Sequence, residues 1–196
     1  MSSFLWYSLG MQAFNINFSK GGIIMKRYTQ VYTGNGKGKT TAALGLAVRA
    51  LGNGYHVYIG QFMKGQEYGE LRTFAKLDNI IIERFGTENC IISKEHVQHI
   101  DIEKAKSGLK RAKEALVCGD FELVILDEIC VAHFFDLVTE DEILALMELK
   151  PENVELVLTG RYAPQAIIDR ADLVTEMKEI KHYYNIGVMA RDGIER

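Results

Sequence analysis

The chain has 196 residues, of which 47% are hydrophobic and 25% are charged, so it can bury one substantial core but is too short for two roomy domains. Its formal net charge of −3 argues against a nucleic-acid partner, because such partners select for clustered Lys and Arg. The sequence contains no uninterrupted run of about eighteen apolar residues, so no membrane span and no membrane partner are predicted.

The cysteines indicate the redox setting. Cys90, Cys118 and Cys130 form no C-x-x-C pair and have no histidines at matching spacing. Neither a disulfide framework nor a zinc cage is therefore predicted. We expect a reducing, cytoplasmic location.

Residues 1–24 are the least interpretable part of the chain, with Lys20 as their one charged side chain and no clear period. They lack the arrangement of a secretory signal, so export is not predicted. Two interpretations stay open. Residues 19–25 could be encoded by a purine-rich ribosome-binding tract before a natural start at Met25, or residues 1–24 could form an arm over a partner subunit. A single domain is predicted over residues 25–196.

From residue 28 onward, short β-rich apolar segments alternate with helical patterns, which is typical of parallel βαβ units. The predicted fold class is α/β, with a P-loop NTPase-like parallel sheet of five to six strands flanked by helices. Crossovers in such sheets are right-handed in nearly all proteins. The predicted strands cover residues 28–32, 56–62, 80–85, 123–126 and 155–158, with residues 173–177 as a candidate sixth.

Two later helices have recognisable starts. Asp101 is predicted to cap a helix over residues 102–116, in which apolar residues recur at three- and four-residue spacing. Thr139 and Glu142 form a predicted capping box for a helix that ends at Leu149.

A glycine-rich turn joins the first predicted strand to the helical pattern that begins at Lys39. The turn and the helix start comprise Gly34, Asn35, Gly36, Lys37, Gly38, Lys39, Thr40 and Thr41. Strand, turn and helix in this order distinguish a true P-loop from a chance match, although Thr33 replaces the usual first glycine. Glycines let backbone N–H groups approach phosphate oxygens, and the helix start adds about half a positive charge. Lys39 is predicted to bind the terminal phosphates of ATP, and Thr40 to ligate Mg²⁺, or Mn²⁺ in its place.

A second predicted strand ends in two acidic residues, Asp127 and Glu128. This strand is expected to lie beside the strand that leads into the P-loop, so that both carboxylates reach the metal directly or through water. The alternative is that the two acids only cap the next segment. No catalytic nucleophile is evident, and the five histidines are scattered along the chain.

Further motifs narrow the choice among P-loop proteins. The N-K-x-D motif of GTPases and the L-S-G-G-Q motif of ABC ATPases are both missing. Distinctive segments instead occur at residues 60–65 (GQFMKG), 124–128 (VILDE), 158–161 (LTGR) and 171–177 (ADLVTEM), with Lys181-His182 and Gly187-Val188 near the end. Together with the glycine-rich turn, these segments closely resemble the ATP:corrinoid adenosyltransferases of the CobA/BtuR type over about residues 26–195.

The resemblance implies a homodimer that transfers the 5′-deoxyadenosyl group of MgATP to a reduced cobalt(I) corrinoid, such as cobalamin or cobinamide, and releases triphosphate. The role would be adenosylcobalamin biosynthesis or salvage, with a flavoprotein as the implied reductant. Cobalt(I) is itself the nucleophile in that reaction, which agrees with the lack of a nucleophilic side chain.

The resemblance also implies roles for individual residues. Lys39, Glu128 and Arg161 would be catalytic, and Thr40 and Glu128 would hold the metal with Asp127 in support. The glycine-rich turn from Gly34 to Thr41 would bind the nucleotide together with Arg49. For Arg49, an ordinary exposed helix charge is an equally open interpretation.

One segment departs from the family pattern. Family members often have Gly-Phe-Thr-Trp after the third strand, where residues 85–92 of this chain read FGTENCII, and the one tryptophan is Trp6. We predict that Cys90, Ile91 and Ile92 face the corrinoid as an apolar lid. The alternative is that both isoleucines are buried core residues.

Two other functions stay open on the residues alone. A nucleoside or metabolite kinase would use the same loop to transfer a phosphoryl group, and a non-catalytic ATP sensor would only bind the nucleotide. The product distinguishes them, since adenosyl transfer yields triphosphate, a kinase yields ADP, and a sensor leaves ATP unchanged.

Overall fold

The computed structural model describes residues 18–19, 22–23, 25–89 and 91–195. Most of the predicted N-terminal arm therefore lies outside the described residues. Two short strands, β1 (Phe18–Ser19) and β2 (Gly22–Ile23), pair antiparallel within it.

The remaining elements alternate between strands and helices. In chain order they are β3 (Thr29–Thr33), α1 (Lys39–Gly52), β4 (Val57–Phe62), α2 (Gly69–Phe74), β5 (Ile80–Phe85), a 3₁₀ turn (Lys94–His96), α3 (His99–Val117), β6 (Leu123–Asp127), α4 (Ile129–Phe134), α5 (Glu140–Leu149), β7 (Glu155–Thr159), α6 (Gln165–Arg170), β8 (Leu173–Glu176) and a second 3₁₀ turn (Tyr183–Ile186). No described helix is both long enough and apolar enough to cross a membrane.

Strands β3 to β8 form one parallel sheet of six strands in the order β5-β4-β6-β7-β3-β8. The predicted α/β fold class is confirmed, and so is the sixth strand. Because the strands are parallel, all their carboxyl ends meet at one edge of the sheet, where ligands bind in open α/β folds. The loops after β3, β4, β6 and β7 converge there.

The predicted position of the acidic strand is wrong. Strand β6 does not lie beside β3, because β7 is inserted between them and pairs with both. Leu156, Val157 and Leu158 of β7 are fully buried, which suits a strand covered on both faces. The sequence predicts that each strand exists, but local patterns do not encode the order of central strands.

The sheet is covered on both faces. Tyr58 and Phe62 of β4 point into a core that includes α3, α4 and α5, while Ile59 belongs to a second core with α1. Ala43, Ala47 and Ala50 are the buried residues of α1 in that second core, and their small side chains allow the helix to pack closely on the sheet. Close packing of α1 fixes the direction in which its first turn points.

The two predicted helix starts have different outcomes. The capping box of α5 is confirmed, with the Thr139 N–H donating to Glu142 Oε2 at 2.8 Å and the Glu142 N–H donating to Thr139 Oγ1 at 3.2 Å. Asp101 is not the cap of α3, because the helix begins earlier, with Gln98 at the cap position. The Asp101 carboxylate lies in the first turn and accepts the Gln98 N–H at 3.0 Å, an arrangement that a periodicity argument alone misses.

Candidate active site

A cleft of about 630 Å³ opens at the carboxyl edge of the sheet. The glycine-rich loop and the first turn of α1 form one wall, and α2 forms another. Lys64, Glu128, Arg161 and the end of the chain also contribute to the lining. The structure therefore brings most of the sequence-predicted site residues to one place.

The glycine-rich loop is shaped by its neighbours as well as by its function. Gly34 and Gly38 have φ angles of 95° and 116°, which residues with a side chain rarely adopt. A Cβ on Gly34 would lie 2.4 Å from the Met177 carbonyl oxygen, and one on Gly36 would lie 2.8 Å from the same atom. The Gly36 N–H donates to that carbonyl at 2.7 Å. The segment after β8 thus packs directly on the loop and excludes larger residues there.

Lys39 is folded back into its own loop. Its Nζ donates to the carbonyl oxygens of Gly34 and Gly36, each at 2.8 Å, and the residue is only 6% exposed. Burial lowers the pKa of Lys39, while the charge of Glu128 opposes that shift. Neutral carbonyl partners are readily exchanged for a phosphate, since a hydrogen bond between two charged groups is stronger.

Asp127 has close partners at both of its carboxylate oxygens. Its Oδ1 accepts hydrogen bonds from the hydroxyls of Thr40 at 2.8 Å and Thr159 at 2.7 Å. Its Oδ2 lies 2.8 Å from the Lys64 ammonium, and Asp127 is fully buried. Oδ1 is therefore hydrogen-bonded by the protein, while the buried Oδ2 has no hydrogen bond and is compensated by the Lys64 charge. These contacts suit Asp127 to support a metal ligand.

Sequence reasoning missed Thr159 and Lys64 as site residues. Thr159 is the last residue of β7, the strand inserted between β6 and β3, and its hydroxyl also accepts the Glu128 N–H at 2.9 Å. Lys64 follows β4, which lies on the other side of β6. The available signal was their position after predicted strands, within two of the distinctive motifs.

Glu128 is held in an unusual backbone conformation at the start of α4. Its φ angle of 60° lies in the left-handed region, which costs free energy for a residue other than glycine and is often found at functional sites. Burial raises the pKa of its carboxyl, and the neighbouring charge of Asp127 raises it further. The side chain forms part of the cleft wall.

The oxygen donors at this point fit a hard cation. The Thr40 hydroxyl donates its hydrogen bond to Asp127, so its lone pairs remain for a ligand, and Glu128 adds a carboxylate to the lining of the same cleft. Within the described part of the chain, no three His, Cys, Asp or Glu side chains group closely enough to hold a metal alone. This suits Mg²⁺, which usually keeps several waters and binds through one or two protein ligands plus phosphates.

The two predicted arginines lie in different places. Arg161 lines the cleft, and its positive charge contributes to lowering the pKa of Lys39. Arg49 is exposed in the last turn of α1, about 15 Å along the helix axis from Lys39 at 1.5 Å per residue. Within one chain, the structure does not bring Arg49 to the cleft, so its nucleotide role stays a prediction.

The end of the chain closes one side of the cleft, which the sequence did not predict. The Lys37 ammonium donates to Glu195 Oε1 at 2.6 Å and to the Tyr183 hydroxyl at 2.8 Å. Hydrogen bonds from Arg191, Lys37 and Tyr183 hold the pKa of Glu195 well below its usual range. The Glu195 carboxylate is thus paired with Lys37, a loop cation that could otherwise bind a phosphate.

The predicted corrinoid-facing residues have unlike surroundings. Ile91 is partly buried and packs against the larger core cluster, whereas Ile92 is 74% exposed. Cys90 lies outside the described residues. The contact of Ile91 favours the core alternative for that residue, and the exposed Ile92 is available for a lid. The corrinoid-facing role of the segment stays a prediction.

Known proteins similar to this chain include several corrinoid adenosyltransferases. Residues 25–196 match the family model described as ATP:corrinoid adenosyltransferase BtuR/CobO/CobP. The chain is 36% identical over 166 residues to a corrinoid adenosyltransferase of Pseudomonas aeruginosa, covering 84% of this chain and 81% of that protein. It is 31% identical over 170 residues to the corrinoid adenosyltransferase CobA of Salmonella typhimurium, covering 84% and 83%. A corrinoid adenosyltransferase of Sinorhizobium is 34% identical over 167 residues, covering 84% and 78%.

Proposed function

The chain belongs to the ATP:corrinoid adenosyltransferase family BtuR/CobO/CobP, a family of transferases, and we propose that it moves the 5′-deoxyadenosyl group of MgATP onto the cobalt(I) centre of a corrinoid and releases triphosphate. The observation that carries the proposal is the convergence of the glycine-rich loop, Lys39, Thr40 and Glu128 on one cleft. A triphosphate and a divalent cation match the charges and donors gathered there.

In this proposal the protein supplies orientation and charge. The loop N–H groups other than that of Gly36, which donates to Met177, bind the triphosphate together with the start of α1. Lys39 exchanges its two carbonyl partners for phosphate oxygens. Arg161 lines the same cleft and stabilises negative charge on the departing triphosphate. Cobalt(I) of the substrate attacks C5′ of the ribose, so no nucleophilic side chain is required.

Three side chains at the metal end of the site have different proposed roles. Thr40 and Glu128 would hold Mg²⁺, or Mn²⁺ in its place, and Asp127 would hold Thr40. Mg²⁺, when bound, neutralises phosphate charge and helps to orient the triphosphate. The hydrogen bonds of Asp127 Oδ1 to two threonine hydroxyls, and its ion pair with Lys64, support placing it behind the metal ligands.

Further parts of the proposal rest on the family resemblance. We propose that residues 25–196 act as one P-loop domain in a cytoplasmic homodimer. The corrinoid would be cobalamin or cobinamide, in biosynthesis or salvage, with a flavoprotein as electron donor. The apolar segment that ends in Ile92 would face the corrinoid.

A product assay tests the proposed function. Protein, MgATP and chemically reduced cobalamin are incubated without oxygen, the corrinoid is followed by absorbance, and the phosphate products are separated. Adenosylated corrinoid and triphosphate in equal amounts are expected. ADP would instead indicate a kinase, and unchanged ATP with measurable binding would indicate a sensor. A reaction without corrinoid is the control for ordinary ATP hydrolysis.

A further inference from the structure

A second lysine is buried at the cleft beside Asp127. Lys64 lines the cleft, its side chain is only 13% exposed, and its ammonium lies 2.8 Å from Asp127 Oδ2 and 3.9 Å from Glu70 Oε1. The same ammonium lies 4.9 Å from the centre of the Tyr68 ring. Strands β4 and β6 are adjacent with Gln61 opposite Asp127, so the chain that follows β4 reaches the end of β6. The sheet order therefore places Lys64 against Asp127.

The partners of the two cleft lysines distinguish their roles. Lys39 is held by neutral carbonyl oxygens, which a phosphate can replace. Lys64 is held by a buried carboxylate, and moving it to a phosphate would leave Asp127 buried without its opposite charge. Such an uncompensated charge is strongly unfavourable, so Lys64 is expected to stay with Asp127 while Lys39 moves.

The ion pair also selects which oxygen of Asp127 faces the threonines. A carboxylate torsion is broad and roughly two-fold, so either oxygen could in principle accept from Thr40 and Thr159. Lys64 occupies Oδ2 and leaves Oδ1 for the two hydroxyls. With its proton committed to Oδ1, the Thr40 hydroxyl has its lone pairs left for the metal.

We propose that Lys64 is a positioning residue for the metal end of the site, acting through Asp127 on the Thr40 hydroxyl. This inference rests on the proposed use of MgATP. Residues that orient a metal ligand from behind typically change metal affinity by about 10- to 100-fold when they are replaced. Lys64 should therefore govern the magnesium requirement without contacting the nucleotide.

A double-mutant cycle on the full chain tests this role. Calorimetry measures the Mg²⁺ concentration that half-saturates ATP binding in wild type, Lys64→Met, Asp127→Asn and the double variant, without any corrinoid. Each single variant is expected to raise that concentration about 10-fold, and the double variant no further, because both changes remove the same contact. Lys64→Arg keeps the charge and should recover most of the loss. Lys106→Met removes an exposed lysine paired with Glu142 and is the matched control.

The outcomes separate the alternatives. A folded Lys64→Met protein with the wild-type magnesium requirement overturns the positioning role, and so does a double variant whose shift is the product of the two single shifts. If Lys64→Met does not fold, the double variant is compared with Asp127→Asn, since removing both charges restores charge balance. A clearly higher half-saturating Mg²⁺ concentration in the double variant then overturns the role. A wild-type protein that binds no MgATP would overturn the proposed function itself.

Discussion

Two loops at the same edge of the sheet are held in opposite ways. The end of β6 is fixed by side chains from three other segments. Asp127 accepts hydrogen bonds from Thr40 of α1 and Thr159 of β7, and it forms an ion pair with Lys64 after β4. The loop after β5 contains Ile91, which is partly buried, and Ile92, which is 74% exposed. The first region is organised before any substrate binds, as charge stabilisation requires. The second leaves the apolar side chain of Ile92 in solvent, where a ligand can contact it.

The largest expected effect of breaking the fixed region is on stability. Asp127→Asn leaves the buried Lys64 ammonium without its partner, and breaking a buried ion pair costs about 3–5 kcal/mol of unfolding free energy. The lower end is expected because Glu70 lies 3.9 Å from the same ammonium. Urea unfolding followed by circular dichroism measures the change.

Glu128→Gln is the matched control for that measurement. It neutralises the adjacent carboxylate, whose pKa is already raised by burial and by Asp127, so it should not lower the free energy of unfolding. It should raise the magnesium requirement and reduce turnover more than ATP affinity. Equal unfolding free energies for wild type and Asp127→Asn would show that the carboxylate is not the centre of this network.

The nucleotide contact of the fixed region gives the next effect. Lys39→Ala removes a charge-assisted contact worth about 1.5–3 kcal/mol, which weakens ATP binding about ten- to a hundredfold. Calorimetry with MgATP measures the affinity, and circular dichroism checks the fold. Unchanged affinity in a folded variant would contradict the assignment of the loop as a phosphate cradle. It would mean that Lys39 of the wild-type protein stays on its loop carbonyls when ATP binds.

The loop after β5 can be tested by replacing Ile91 and Ile92 separately. Ile91→Asp puts a charge against the core and should lower the free energy of unfolding by about 2 kcal/mol or more. Ile92→Asp, at an exposed position, should change it by less than about 0.5 kcal/mol. If Ile92 forms part of the lid, this variant loses activity with cobalamin, keeps its MgATP affinity, and loses less activity with cobinamide, which lacks the lower ligand. Equal losses on both corrinoids would contradict the lid.

The same contrast explains how far the sequence predicts the site. Lys39, Thr40 and Glu128 were predicted because their positions are set by local order, a strand end followed by a helix start. Thr159 and Lys64 were not, because their contacts with Asp127 depend on β6 lying between β7 and β4. That order arises from packing of the whole sheet, so a prediction based on neighbouring residues placed β6 beside β3 instead.

The contacts between the chain end and the loop were missed for a related reason. Glu195 and Lys37 are far apart in sequence, and no local pattern pairs them. The Glu195 carboxylate sits on a cation of the glycine-rich loop, and Gly193, Ile194 and Glu195 form part of the cleft wall. The tail therefore adds an adjustable contact to an otherwise fixed region.

Glu195→Gln gives the smallest expected effect and tests whether that contact competes with the nucleotide. A triphosphate attracted to Lys37 must displace the carboxylate, so the variant should bind ATP about two- to fivefold more tightly, within the range of a surface ion pair. The side chains of this pair are 38% exposed for Lys37 and 15% exposed for Glu195. Because salt screens exposed charges, the difference from wild type should shrink as ionic strength rises. Asp136→Asn, which removes the exposed partner of Lys94 away from the cleft, should leave ATP affinity unchanged. Weaker ATP binding by the Glu195 variant at every salt concentration would show that the tail carboxylate supports the loop and does not compete with phosphate.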